Sequence, residues 1–205
     1  IILPIFGFIF CGMVFDVSGF VFVGSVFDIK LVVFTLYGFY QTEKYFSHIQ
    51  DKVRKEFTFK QHIVDECKDI IDNYFDNPIS LHIRRGDFIS NSGNHHNQSL
   101  DYYADALSKF EKGRQVIIFS DDPAWCMKQD LFSDDSFIIS EQADSYHDLY
   151  MMSQCNDFII ANSSFSWWGA WLANKGRVIA PKQWFGPNNA HLNTKDLYPD
   201  HWEVI

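Results

Sequence analysis

Basic residues are scarce in this chain: 17 Lys and Arg stand against 26 Asp and Glu, for a net charge of −9. A protein that wraps a polyanion needs the opposite balance, so nucleic acid is a poor partner. A local basic site for one small phosphorylated ligand is still compatible with that charge. Cysteine is sparse too, and Cys11, Cys67, Cys126 and Cys155 show neither close pairing nor metal-ligand spacing. Three of them fall on apolar helix patterns and are expected as buried thiols, in a reducing compartment or indifferent to redox state. No low-complexity segment and no short-period repeat occurs. No unbroken apolar run reaches the ~20 residues of a bilayer span. Residues 1–15 come nearest, and Pro4, Gly7 and Gly12 interrupt them. A basic start and a small-residue cleavage site, the marks of a signal peptide, are also missing.

What is present describes a globular protein. Hydrophobic residues make up 47% and charged residues 21%, and 205 residues give room for one good-sized domain with part of a second. The chain opens on Ile rather than Met and is expected to be a fragment or a processed product. Many of its 21 Phe crowd the first forty positions. Residues 1–40 read as strands of an incomplete N-terminal lobe, as a membrane-associated anchor, or as damaged coding sequence. Val21, Val23, Val26, Val32 and Val33 favour strands. Residues 41–205 form the main domain.

The main domain alternates in type. Residues 42–57 predict a helix with Thr42 as N-cap and a stripe of Tyr45, Phe46, Ile49 and Val53. Residues 61–75 predict a second, with Ile63, Val64, Cys67, Ile70, Ile71 and Tyr74 on one face. Ile79, Leu81 and Ile83, spaced by two, mark a buried strand. Residues 88–98 read as a polar loop carrying His95 and His96, a possible metal pair or simply exposed. Ser99 caps a helix that Gly113 stops. Strands follow at 116–119, 137–139, 158–161 and 178–180, separated by helices after Pro123, over 146–155 and after Ser164. That alternation predicts a parallel α/β sheet with right-handed crossovers.

Three turns following strands carry polar chemistry, and ligands of parallel sheets bind at the strands' carboxyl ends. Arg84-Arg85-Gly86-Asp87 supplies planar guanidinium forks suited to phosphate, with Asp87 placed to hold one of them. Adjacent strand residues face opposite ways, so the two arginines converge only if the strand ends there, and Gly86 is expected to end it through its backbone freedom. Asp121 and Asp122 suit a divalent cation, the amines of a base or the hydroxyls of a sugar, while Asp122 also caps the helix begun by Pro123. Asn162-Ser163-Ser164 opens a helix whose free amides favour an anion, or is an ordinary N-cap. Both it and Asn97-Gln98-Ser99 are formal glycosylation sequons, the former discounted as part of a buried turn. Asp148 is either a solvated acid or an acceptor for a ligand. Trp167, Trp168 and Trp171 read mainly as core.

These motifs together resemble those of the α-1,2-fucosyltransferases, glycosyltransferase family 11. The resemblance is carried, in order, by Gly38-Phe39-Tyr40-Gln41-Thr42-Glu43-Lys44-Tyr45-Phe46, His82-Ile83-Arg84-Arg85-Gly86-Asp87, Ser120-Asp121-Asp122-Pro123-Ala124-Trp125, Asp148-Leu149-Tyr150-Met151-Met152-Ser153, and Asn162-Ser163-Ser164-Phe165-Ser166-Trp167-Trp168-Gly169-Ala170. It covers about residues 38–187. It implies a Rossmann-like, two-lobed GT-B enzyme that transfers fucose with inversion from GDP-fucose to the 2-hydroxyl of a galactose-terminated glycan, without metal. It implies that Arg84 meets the β-phosphate with Arg85 and His82 in support, that Asp121 and Asp148 hold the guanosine, and that Ser163, Ser164 and Ser166 lie by the phosphates. Asp87, Asp122 and Asn162 complete the expected site. The Gly-x-Gly-Asn-Gln segment usual in the family's other lobe is missing from residues 16–24. The resemblance implies a cytoplasmic or peripherally membrane-associated protein of bacterial type, or a Golgi one if eukaryotic. A non-catalytic GDP-sugar-binding remnant and a membrane-associated interaction protein built on residues 1–40 are the alternatives.

Overall fold

The computed structural model describes residues 42–141 and 144–205. The strands or anchor expected in residues 1–40, and Cys11 with them, lie outside the described residues. In chain order the helices and strands are α1 (Gln50–Glu56), α2 (Gln61–Tyr74), β1 (Ile79–Ile83), α3 (Gly86–Ser90), α4 (Leu100–Ser108), β2 (Val116–Ser120), α5 (Pro123–Cys126), β3 (Phe137–Ile139), α6 (Ser145–Gln154), β4 (Asp157–Ile159), α7 (Ser164–Ala173), β5 (Val178–Ala180) and β6 (Glu203–Val204).

The six strands form one sheet in the order β3-β2-β1-β4-β5-β6, and every neighbouring pair is parallel. The parallel α/β architecture read from the sequence is therefore what the chain adopts. The chain runs outward from β1 to β3, then returns past β1 to build β4, β5 and β6. The reversal leaves a crevice between the carboxyl ends of β1 and β4, where crossovers depart to opposite sides.

Strand periodicity explains why both faces of the sheet are dry. Ile79, Leu81 and Ile83 of β1 pack with Val116, Ile118, Ile159 and Ile179 against Tyr103 and Ala106 of α4 and Cys126 of α5. The alternate residues Ile117, Phe119, Phe158, Val178 and Ala180 face α2, α6 and α7. On that second face Trp167, Trp168 and Trp171 are buried, as expected of core residues. Their polar edges are satisfied: Trp167 Nε1 donates to Leu197 O at 2.9 Å and Trp171 Nε1 to a Glu43 carboxylate oxygen at 3.0 Å. Cys67, Cys126 and Cys155 are free and buried.

The expected helix over 42–57 is instead two 3₁₀ turns, Glu43–Tyr45 and Ser47–Ile49, followed by the seven-residue α1. The backbone leaves the helical region at Phe46 (φ −131°, ψ 15°) and Ile49 (φ −133°, ψ 22°). Those two breaks seat the Phe46 ring 5.8 Å from Trp168 and 5.1 Å from Trp171, a contact worth more than continuous hydrogen bonding in a short surface helix. Tyr45 and Ile49, assigned to the same stripe, are exposed in consequence. On α2 the buried line is Ile63, Cys67 and Ile71, while Tyr74 is 71% exposed at the helix end. Helix α4 stops at Ser108, before Gly113, and buries Ala106 rather than Ala104. The loop expected at 88–98 begins with the short α3, which buries Phe88. Strand β6 was not foreseen, because two residues, one of them Glu203, carry no periodicity.

Gly176 turns the chain from α7 into β5 at φ +70°, and a Cβ there would stand 1.7 Å from Asn156 O. Strain and clash coincide, so Gly176→Ala should destabilise by ~2 kcal/mol or more. Thermal denaturation followed by circular dichroism should show the melting temperature fall by roughly 4 °C or more. An unchanged melting temperature would contradict this placement of the turn.

Candidate functional site

The register of β1 against β2 builds the centre of the site. Ile83 lies opposite Ser120, so the next residues, Arg84-Arg85 and Asp121-Asp122, leave the sheet side by side. Arg84 Nη1 pairs with Asp121 Oδ2 at 2.7 Å, and its Nη2 pairs with Asp87. The other Asp121 oxygen accepts from the Arg85 backbone N–H at 2.8 Å. Arg85 turns the other way: Nε donates to Asp122 Oδ2 at 3.0 Å, and the guanidinium lies over the Trp125 ring at 3.8 Å. Asp122 Oδ1 meanwhile caps α5 by accepting from Trp125 N at 3.1 Å.

The two arginines therefore diverge. Arg84 uses two of its five N–H groups on carboxylates, and the other three have no partner among the described residues. Arg85 is clamped between an acid and an indole. Gly86 follows with an ordinary φ, so the backbone freedom expected of it is not what ends the strand. What requires glycine is space: a Cβ there would stand 2.4 Å from Asp121 Oδ2.

Opposite Arg84 across the crevice stands the start of α7. Ser163 caps it, its hydroxyl accepting from Phe165 N, so the ordinary N-cap reading holds. The ten-residue helix still directs the positive end of its dipole, with Ser163 and Ser164 half-buried there, toward the carboxyl edge of the sheet. Ser166 is buried, and its hydroxyl donates to Ala161 O at 3.4 Å and Ser163 O at 3.3 Å. Asn162 is a clasp. Its Nδ2 donates to His96 O at 2.8 Å and Trp184 O at 2.7 Å, and its Oδ1 accepts from Gln98 Nε2 at 3.2 Å. It ties three loops together at the edge of the sheet.

His82 projects from β1 onto the α7 face, 5.6 Å from the Phe165 ring. It is buried, and Nδ1 has no hydrogen-bond partner. Burial, and then the charge of Arg84, push its pKa down to about 3, so the ring is neutral at any working pH. An unsatisfied buried nitrogen beside an arginine paired to two carboxylates is the feature of the site that sequence could not show. Asp148 sits in the first turn of α6 and accepts from the Ser140 hydroxyl at 2.7 Å, just past the end of β3. Burial raises its carboxyl above the ordinary range. The turns that carry the residues singled out in the sequence lie at the carboxyl edge of one sheet, with His82 inside β1 and Ser166 inside α7, and most of their polar groups, those of Arg85, Asp121, Asp122, Asn162, Ser163 and Ser166 among them, are engaged within the protein.

His95 stacks on Phe88 at 4.1 Å, under the Arg84 guanidinium, and its backbone bridges to Phe185. Among the described residues no group of His, Cys, Asp and Glu has the arrangement of a metal site, and no helix is long and apolar enough to cross a membrane.

A parallel doubly wound sheet places ligands at the carboxyl ends of its strands, by the switch point. The chain belongs to Glycosyl transferase family 11, whose family profile matches residues 26–205. It is 39% identical over 182 residues to the alpha-1,2-colitosyltransferase of Escherichia coli, covering 82% of this chain and 61% of that protein. It is 24% identical over 168 residues to galactoside alpha-(1,2)-fucosyltransferase 1 of Lagothrix lagotricha, covering 70% of this chain and 44% of that one. The chain thus spans about half the length of these relatives. A crystal structure of NodZ alpha-1,6-fucosyltransferase soaked with GDP-fucose superposes with a TM-score of 0.43 at 15% identity, covering 66% of this chain and 48% of that one, a likeness too loose to build on.

Asn162→Ala would leave the His96 and Trp184 carbonyls without their donor. At ~1–3 kcal/mol for buried polar groups stripped of a partner, the melting temperature should fall by several degrees. Scanning calorimetry of the variant reads this directly, and a wild-type melting curve would remove the clasp.

Proposed function

We propose that this chain is the donor-binding part of an α-1,2-glycosyltransferase. It moves a sugar from a GDP-linked donor, fucose from GDP-fucose in the simplest case, to the 2-hydroxyl of a terminal galactose, with inversion and without metal. One observation carries the reading: Arg84 and the N-terminus of α7 follow the carboxyl ends of the neighbouring strands β1 and β4, and three Arg84 guanidinium N–H groups have no partner among the described residues. The two sequence relatives support the linkage, since their names share α-1,2 and differ in the sugar, colitosyl in one and fucosyl in the other.

The chemistry follows from that pair. The acceptor hydroxyl oxygen attacks the anomeric carbon from the face opposite the diphosphate, and the hydroxyl proton passes to solvent. The bond from that carbon to the β-phosphate oxygen breaks, and its electron pair stays on the phosphate. Charge builds where Arg84 and the first amides of α7 stand, and preorganised donors stabilise it without reorienting. Ser163 and Ser164 add hydroxyls at the same place. His82, buried and neutral, packs beside Arg84 in support of it. Asp87 and Asp121 orient the Arg84 guanidinium, and Asp122 with Trp125 fixes Arg85, which acts by holding the turn. Asp148, partly buried beyond β3, accepts from the amine and imine N–H groups of guanine, and Asp121 bounds the same space. No residue on the sheet edge is assigned as the general base. The galactose acceptor, a cytoplasmic or peripheral membrane location, and a Golgi location in a eukaryotic host are parts of the same proposal.

Two measurements test it. Calorimetric titration with GDP in EDTA should show binding, and added magnesium or manganese should leave the affinity unchanged. Binding that needs the metal would refute the metal-free reading. Arg84→Lys keeps the charge and loses the fork, so GDP affinity should drop roughly ten- to hundredfold, with Arg84→Ala at least as weak. Lys68→Ala, exposed on α2, is the control and should bind GDP normally. In a protein competent for transfer, either Arg84 change should also cost roughly a hundredfold or more in turnover.

A further inference from the structure

Ser140 is the residue just past β3, and nothing in the sequence singles it out. Its backbone N–H donates to Ile118 O at 2.8 Å, so it extends the β2–β3 ladder by one residue. Its hydroxyl donates to Asp148 Oδ1 at 2.7 Å, and Asp148 Oδ2 has no partner among the described residues. We propose that Ser140 is a positioning residue for base recognition: anchored by the sheet, it fixes the Asp148 carboxylate so that the N–H groups of guanine meet it in one orientation. The inference rests on the donor-binding reading above.

Rigidity is the first part of the argument. A carboxylate on the first turn of a helix rotates about its side-chain bonds, and selecting one orientation on binding costs affinity. A hydroxyl tied to a buried strand removes that freedom. Ile118 is fully buried, and Ile139, the neighbour of Ser140, is its register partner. A carboxylate has about four lone-pair sites on its two oxygens, so one hydrogen bond from Ser140 leaves room for both the imine and the amine N–H of guanine. Adenine carries a lone pair where guanine carries the imine N–H, and would set it against the carboxylate.

Charge is the second part. Asp148 must be ionised to accept from the base, because a protonated carboxyl turns a donor toward two donors. Burial raises its pKa, and the Ser140 hydroxyl is the strongest influence in the other direction. Among its charged neighbours, Asp144 at the start of α6 raises it further and His147 lowers it. Helix α2 brings Glu66 to 3.3 Å from His147 Nε2, the His62 ring to 6.2 Å from the His147 ring, and the Cys67 thiol to 3.7 Å from His147 O. Burial pushes Cys67 up to about 11, so it stays a thiol. The hydrogen bond to Asp144 raises His147, which is therefore already cationic in the acid range where Asp148 titrates. Ser140 is thus the neighbour whose removal most directly moves the protonation of Asp148, and it moves it toward higher pH.

The test uses the full chain and calorimetric titration with GDP and with IDP, which lacks the 2-amino group, from about pH 7.5 down to about pH 5. The ligand's own phosphate titration is common to every variant and cancels in the comparison. Ser140→Ala should weaken GDP about tenfold near neutral pH and narrow the preference for GDP over IDP. It should also move the acid loss of GDP binding to higher pH than in the wild type. Ser140→Thr keeps the hydroxyl and should restore both the affinity and the pH profile. In an Asp148→Asn background, adding Ser140→Ala should change GDP affinity by less than about twofold, whereas a fold defect would weaken GDP in either background. Wild-type affinity and pH profile in Ser140→Ala, a Thr variant as weak as the Ala one, or the full loss in the Asp148→Asn background would each overturn the inference and leave the donor reading standing. No GDP binding by the wild-type chain would overturn the donor reading, and this inference with it.

Discussion

The parallel register between β1 and β2 is the constraint on which the site depends. Because Ile83 pairs with Ser120, two arginines and two aspartates emerge from neighbouring strands at the same level. A slip of one residue would set Arg84 opposite the Asp122 position and exchange the faces of the strand. Hydrophobic pattern enforces the register. Ile79, Leu81 and Ile83 must face α4 while Ile117 and Phe119 face the other layer, and a slip exchanges those faces. The buried sheet thus sets the geometry of charges that lie partly in water.

Those charges contribute little to stability on their own. Ion pairs with side chains about a quarter exposed, as Arg84 and Asp121 are, are worth at most ~1 kcal/mol. Their value is directional. Asp87 and Asp121 fix the plane of one guanidinium, and Trp125 with Asp122 holds the neighbour out of the crevice. Two arginines among three acids also keep the local charge at −1 before a ligand arrives, in a chain whose overall charge is −9. On the proposed reading, a diphosphate would be held by aimed donors rather than by a diffuse basic patch, which favours one anion in one pose over polyanions in general.

Much of this was legible in the sequence, and the rest was hidden for physical reasons. The five longer-range strand and helix alternations, the Asp122 and Ser99 caps and the shared edge of three polar turns follow from periodicity and turn chemistry, and they survive in the fold. Local signals failed where tertiary packing overrode them. Residues 42–57 carry a helical stripe, yet the Trp168–Trp171 surface draws Phe46 inward and breaks the helix. Gly86 looked like a conformational requirement and is a steric one, set by a carboxylate 35 residues away in sequence. Asn162 looked like a ligand donor, but its partners His96, Gln98 and Trp184 come from distant loops that no motif announces. The unsatisfied nitrogen of His82 is a property of the assembled fold alone.

The central claim is that the β1–β4 crevice takes a diphosphate between Arg84 and the first turn of α7. A crystal structure of the chain grown with GDP tests it most directly. The account predicts the β-phosphate within hydrogen-bond distance of the Arg84 guanidinium and of the amides or hydroxyls of Ser163 and Ser164, with the base toward Asp148. GDP bound elsewhere on the sheet edge, with Arg84 still paired only to Asp87 and Asp121, would contradict it.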